Sequence, residues 1–75
     1  MSDRAPSPPI QLRVNGASHT VASDCTVAGL IEILGIAGKR IAVAVNRDVV
    51  PRSTFANHPL TTGDQVEILE AVGGG

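Results

Sequence analysis

The fold is decided by residues 10–35, which read IQLRVNGASHTVASDCTVAGLIEILG and change their hydrophobic period once. Over residues 10–14 apolar and polar side chains alternate, which predicts a strand with one buried face. Asn15-Gly16 then favours the positive φ angles of a tight turn, and a second, weaker strand is expected over residues 18–22. The first half of this stretch therefore predicts a β-hairpin with one apolar face.

The second half of the stretch has the period of a helix. Over residues 27–34 apolar side chains recur at i, i+3, i+4 and i+7, which predicts one apolar stripe on a helix of about ten residues. Asp24 or Thr26 can cap its start. Gly35 is placed to end it, with Ile36 closing a Schellman contact onto the last turn. Such a stripe needs an apolar surface to cover, and the hairpin provides one.

The rest of the chain supplies the other half of a sheet. Its predicted elements are a third strand over 40–46, a short strand at Val49-Val50, a helical turn over 52–58 that carries Phe55 inward, and a closing strand over 65–72. This order of elements predicts an α+β fold of the ubiquitin-like β-grasp class, in which a mixed five-strand sheet packs on one helix.

Three segments are expected along the chain. Residues 1–9 hold three of the five prolines and have no period that could bury a face, so we expect a disordered Pro-rich leader. Residues 10–72 form the β-grasp domain, and residues 73–75 form a flexible glycine tail.

Composition narrows the classes of function. The 75 residues carry a net charge of −1 and a single cysteine, which argues against a nucleic-acid surface, an internal disulfide and a multi-cysteine metal site. No apolar run approaches the ~20 residues that span a bilayer. We therefore expect a cytoplasmic protein that is a monomer when free and binds neither nucleic acid nor a membrane.

The closing strand has apolar residues on both of its faces. Val66 and Ile68 alternate as the buried face, so the odd-numbered positions around them lie on the open face. The third strand, which lies beside the closing strand in a β-grasp sheet, points its alanines the same way. Exposed apolar patches commonly mark contact surfaces, although scattered surface aliphatics are an alternative interpretation. The expected docking surface for a partner consists of Ala42, Ala44, Leu69 and Ala71.

The sequence ends on three glycines, Gly73, Gly74 and Gly75. A tail without side chains can lie extended in a narrow channel, and it leaves a terminal carboxylate sterically open. One interpretation is a carrier whose reactive group is the carboxylate of Gly75. The other is an inert frayed terminus or a linker.

Four segments of the chain carry a family resemblance, namely AVAVN at 42–46, VVPR at 49–52, GDQVEI at 63–68 and VGGG at 72–75. Together these segments closely resemble the family of sulfur carriers in thiamin biosynthesis. The resemblance covers about residues 10–75, and Asn46 followed by VVPR is its most specific part. The relative that feeds molybdopterin synthase shares the fold and the Gly-Gly end but typically lacks this Pro-Arg turn. The leader, Cys25 and the third glycine depart from the family pattern.

The resemblance implies a protein cosubstrate rather than an enzyme. An adenylyltransferase of the ubiquitin-activating type would use ATP and magnesium to adenylate Gly75, and the carrier itself would bind no cofactor. A persulfide sulfur donor would then convert Gly75 to a thiocarboxylate, which thiazole synthase would use. In this scheme the tail is recognised through Val72, Gly73 and Gly74, and the polar candidates for orienting the partner are Arg47, Arg52 and Glu70.

Two other functions stay open at this point. The chain could be a β-grasp carrier for another sulfur pathway, of the molybdopterin type, or a ubiquitin-like protein modifier. It could also be an interaction module with an inert tail.

Three further residues have side chains that could bind a metal or act as a nucleophile. His19 and His58 are far apart in sequence and have no cysteine or carboxylate at ligand spacing, so no metal site is expected. Cys25 is an alternative candidate for the reactive group, because a helix N-terminus can lower the pKa of a thiol. No histidine or second cysteine lies near it in sequence, and we interpret Cys25 as a packing residue.

Overall fold

The computed structural model describes residues 8–70, which form a mixed sheet and one α-helix. The elements are β1 (Ile10–Val14), β2 (Ala17–Val21), α1 (Val27–Leu34), β3 (Ile41–Val45), β4 (Asp48–Val50), a 3₁₀ helix (Arg52–Asn57) and β5 (Gln65–Glu70). The predicted α+β architecture, with five strands and one helix, is confirmed. The sheet order is β2-β1-β5-β3-β4. β1 and β5 are parallel, and the other neighbours are antiparallel.

Both hairpins turn through two residues in the left-handed region. Asn15 and Gly16 have φ angles of 51° and 86°, and Asn46 and Arg47 have φ angles of 53° and 72°. Positive φ at both central positions is the type I′ pattern, whose twist matches that of the flanking strands. The prediction of a hairpin at Asn15-Gly16 is confirmed.

The helix begins and ends at residues that the sequence marks for those roles. Thr26, rather than Asp24, is the N-cap, and its Oγ1 accepts a backbone N–H of the first turn at 3.2 Å. At the other end Gly35 has a φ of 74°, and the N–H of Ile36 donates to the carbonyl oxygen of Ile31 at 3.2 Å. The predicted Schellman ending is confirmed, on a helix of eight residues.

The core is almost entirely aliphatic. The inward faces of the strands and the apolar stripe of α1 meet in one cluster, against which the half-buried Phe55 packs from the 3₁₀ helix as predicted. Burial of this surface is the main force that holds the sheet to the helix. The buried members are Leu12, Val14, Val21, Cys25, Val27, Leu30, Ile31, Val43, Val45, Val50, Leu60, Val66 and Ile68.

The strand limits differ slightly from those expected. β2 begins and ends one residue earlier than predicted, β3 is one residue shorter at each end, and β4 includes Asp48. The described part of β5 extends to Glu70, and its predicted end at residue 72 is not tested, because residues 71–75 lie outside the described residues, as do residues 1–7. The limits of the leader, domain and tail therefore stay predictions. Within residues 8–70, no helix combines the length and apolar character needed to cross a membrane.

Candidate functional site

The open face of the sheet carries the predicted apolar residues. Ala42 lies directly opposite Leu69 in the β3–β5 pair, and Ala44 lies opposite Glu67, so these side chains share one face. Leu69 is 71% exposed, Ala42 is exposed and Ala44 is half-buried. Their placement on the open face is confirmed, while their role in docking stays a prediction. Ala71 lies outside the described residues.

One residue of this face was missed from the sequence. Val49 is 77% exposed and lies opposite Ala44 in the β3–β4 pair. The two-residue turn at Asn46-Arg47 fixes that register. Predicting the length of this turn from the sequence would have placed Val49 on the open face. We define the open-face patch as Ala42, Ala44, Val49 and Leu69.

Charged groups border this patch where β5 ends. A shallow depression of about 440 Å³ is lined by Leu69 together with Arg40, Arg52 and Glu70. Nη2 of Arg52 donates to the carbonyl oxygen of Lys39 at 3.1 Å, and Nζ of Lys39 lies 3.5 Å from Oε2 of Glu70. Exposed pairs of this kind contribute little to stability. They do place cationic and anionic groups around the point where the tail begins.

Arg47 does not belong to that border. It lies in the β3–β4 turn, beyond the residue of β3 that pairs with Val66 near the start of β5. The neighbouring Asn46 N–H donates to the carbonyl oxygen of Gln65 at 2.8 Å. Because β3 and β5 are antiparallel, this turn is at the opposite end of β5 from Glu70. Arg47 is therefore distant from the end of β5 at Glu70, and its role in orienting a partner stays a prediction.

The predicted reactive tail itself cannot be placed from the described residues. Glu70, opposite Ile41 on β3, is the last described residue of β5. The positions assigned to adenylation and tail recognition follow it, and their roles stay predictions. These positions are Val72, Gly73, Gly74 and Gly75.

Cys25 is enclosed rather than presented to solvent. Its side chain is 8% exposed, and Sγ donates weakly to the carbonyl oxygen of Thr26 at 3.4 Å. A Cβ added at Gly29 would lie 3.3 Å from Sγ, so the thiol packs tightly against the first turn of α1. Burial raises the pKa of the Cys25 thiol, and the carboxylate of Asp24 raises it further. This direction is opposite to that of an activated thiol.

The two histidines occupy separate parts of the structure. His19 lies on β2 opposite Leu12, and His58 follows the 3₁₀ helix. Among residues 8–70, no group of three or more His, Cys, Asp or Glu side chains is arranged to hold a metal ion.

Similar proteins place this geometry in a family. The model of the ThiS family matches residues 12–75. Over 66 residues, the chain is 32% identical to the sulfur carrier protein ThiS of Escherichia coli, a match that covers 88% of this chain and 100% of that protein. Over the same length it is 33% identical to a thiazole synthase of Paramagnetospirillum magneticum. The chain spans 20% of that larger protein.

A solved structure agrees with the fold as well as with the sequence. The crystal structure of the thiamine biosynthesis protein ThiS from Geobacter metallireducens matches with a TM-score of 0.75 and 35% sequence identity. The match covers 88% of this chain and 100% of that one, so the ubiquitin-like β-grasp fold is confirmed. With a family model matched through Gly75 and a ThiS protein matched over its full length, the chain belongs to the ThiS family.

Proposed function

We propose that this protein is a sulfur carrier of thiamin biosynthesis whose C-terminal carboxylate bears the sulfur. The observation that carries the proposal is the match to the ThiS family, which extends through the glycine tail to Gly75. The name of the full-length E. coli relative, a sulfur carrier protein, supports the same activity here. The fold supports it too, because β5 runs along an exposed apolar patch and the glycine tail follows β5 within a few residues of the sequence.

The proposed chemistry starts from an unreactive group. A carboxylate is a poor acyl donor because its leaving group would be oxide. An adenylyltransferase of the ubiquitin-activating type, using ATP and magnesium, would form an acyl-adenylate at Gly75 and release pyrophosphate. A persulfide sulfur would displace AMP, and a thiol would cleave the resulting sulfur–sulfur bond to leave the thiocarboxylate. Each of these groups comes from a partner, so the carrier acts as a cosubstrate.

Docking to these partners is assigned to the open-face patch. Ordering the backbone of four tail residues costs on the order of 4–8 kcal/mol, at ~1–2 kcal/mol for each residue. Main-chain hydrogen bonds inside an enzyme channel can offset part of that cost, and a folded surface that docks beside the tail can offset more. Leu69 and Ala42 supply apolar area there, and Arg52 and Glu70 supply charges that can orient the partner.

Thiazole synthase is proposed as the protein that receives the sulfur. The support is that a thiazole synthase contains a stretch similar to this chain within a longer protein. A carrier-like segment in the same polypeptide as the synthase is expected if the two must meet during the reaction. This chain would make the same encounter as a separate molecule or as part of a larger one.

The direct test is the mass of the loaded protein. Incubation with the activating enzyme, ATP, magnesium and a persulfide donor should raise the intact mass by the difference between sulfur and oxygen, and digestion should localise the increment to the C-terminal peptide. The same mixture without ATP is the control. An unchanged mass of this chain in the complete mixture would contradict the proposal.

The pathway is tested separately from the chemistry. Deletion of the gene in its host should abolish growth without added thiazole, and expression of the intact chain should restore it. A requirement for molybdopterin instead, or covalent attachment of the chain to other proteins, would favour the alternative carrier or modifier functions.

Cys25→Ser should leave sulfur loading unchanged, because the thiol is buried and has a raised pKa. The free energy of unfolding should fall by no more than ~1–2 kcal/mol, since only one core atom changes. Mass spectrometry after loading and a denaturant titration measure the two quantities, and Cys25→Ala repeats the test without a hydroxyl. Normal adenylation with blocked sulfur loading in both variants would show instead that Cys25 relays sulfur.

A further inference from the structure

Asn15 binds β5 through its side chain as well as its backbone. Its N–H donates to the carbonyl oxygen of Val66 at 2.9 Å, as expected for the parallel β1–β5 pair. Its Oδ1 then accepts the N–H of Ile68 at 2.8 Å, and its Nδ2 donates to the carbonyl oxygen of Ile68 at 3.1 Å. One amide side chain therefore satisfies both main-chain groups of a residue 53 positions away in sequence.

These two side-chain bonds replace the main-chain bonds that β1 would have made to Ile68 if β1 had continued. In a parallel pair, every second residue of one strand bonds through its N–H and C=O to the residues before and after its neighbour on the other. β1 ends at Val14 and Asn15 enters the hairpin turn with a φ of 51°, so β1 has no main chain left to pair with Ile68. The amide of Asn15 takes that place, and β5 continues to Glu70.

The position of these bonds on β5 gives them a second consequence. Among residues 8–70, they are the last bonds between the β1 side of the sheet and β5 before the tail begins. Beyond them, β5 is held along its other edge by β3, through the pairs of Leu69 with Ala42 and Glu70 with Ile41. Asn15 and Leu69 also line a second depression on the open face, separate from the one beside Arg40 and Arg52.

We propose that Asn15 is a positioning residue, which fixes the end of β5 and thereby holds the origin of the reactive tail in place relative to the open-face patch. This inference rests on the proposed function. A partner that docks on the patch must also receive the carboxylate several residues further on. Freedom at the end of β5 adds to the freedom of the tail and widens the range of positions that the carboxylate can occupy, and small misplacements of a reacting group are costly in rate.

Asn46 is a matched control within the same molecule. It also starts a two-residue turn, at a φ of 53°, and its Oδ1 accepts the N–H of Gln65 at 3.0 Å. Its Nδ2 donates to Oδ1 of Asp64 at 2.9 Å. Asn46 thus anchors the start of β5, whereas Asn15 anchors the end that leads to the tail.

The experiment compares Asn15→Gly with Asn46→Gly, because glycine adopts the positive φ readily and removes the side chain that carries the amide. With the activating enzyme, ATP and magnesium, Asn15→Gly should lower kcat for adenylation by about fivefold to tenfold while KM stays within about twofold. Asn46→Gly should change neither constant by more than about twofold. Asn15→Asp keeps the acceptor for the Ile68 N–H and should restore part of the lost rate.

Amide hydrogen exchange supplies a readout that needs no enzyme. In Asn15→Gly the amides of residues 68–70 should exchange faster than the rest of β5, whereas Asn46→Gly should affect residues 64–66 instead. Equal loss of kcat in both glycine variants would assign the effect to general stability and overturn the inference. Unchanged exchange at residues 68–70 in Asn15→Gly would also overturn the inference, whether or not the chain is adenylated. Failure of the activating enzyme to adenylate the wild-type chain would instead contradict the proposed function.

Discussion

Adding one alanine after Gly75 is expected to abolish adenylation by the activating enzyme. An extra residue moves the carboxylate by about 3.3–3.6 Å along an extended chain, and a misplacement of about 1 Å can already cost about a hundredfold in rate. Deleting Gly75 moves the carboxylate the other way and should have the same result. ATP–pyrophosphate exchange measures this step directly, because it requires the acyl-adenylate to form.

The fold should survive both changes. The core residues of β5 that lie nearest to the tail are Val66 and Ile68, at 1% and 9% exposure, and neither is altered. Thermal unfolding should therefore match that of the wild-type protein. An alanine added ahead of Met1 is the control for chain length and should leave exchange unchanged. Normal exchange with the C-terminal extension would contradict the proposal that the terminal carboxylate reacts.

Local patterns were enough to predict most of the architecture. The alternation in β1, the Asn15-Gly16 turn, the helix stripe and the Gly35 ending each involve residues within a few positions of one another. Their geometry follows from backbone preferences and from the burial of one face. The face assignment on β5 also followed from alternation, since Val66 and Ile68 left Leu69 on the open side.

Contacts between distant segments were harder to predict. The two hydrogen bonds between the Asn15 side chain and the Ile68 main chain join residues 53 positions apart. In the sequence, Asn15 is recognisable only as a turn residue. Arg47 lies in the β3–β4 turn, and its distance from either end of β5 depends on how β3 pairs with β5. Local sequence patterns do not give that pairing. Asp and Thr are both favourable N-cap residues, so residue type alone could not decide between Asp24 and Thr26. The decision depended on where the first helical turn begins.

Leu69→Glu is expected to weaken binding to the activating enzyme by at least about tenfold, because a charge at the centre of a dry contact loses its hydration. Leu69 is 71% exposed in the free protein, so the free energy of unfolding should change by about 0.5 kcal/mol or less. Arg40 and Arg52 line the same depression and can partly neutralise the new carboxylate. Leu69→Ala, which adds no charge, therefore measures the loss of apolar contact alone. Titration calorimetry with the enzyme and thermal unfolding give both quantities.

Ile33→Glu is the matched control for this substitution. Ile33 is another large apolar residue, 62% exposed, but it lies on α1, on the other side of the sheet from the open-face patch. The same change of charge and size there should leave the dissociation constant within about twofold, since exposed substitutions away from a contact have small effects. Equal weakening by both variants would mean that net charge, and not the patch, controls binding. Weakening by Ile33→Glu alone would place the docking surface on the helix and leave the open face of the sheet without the role proposed for it.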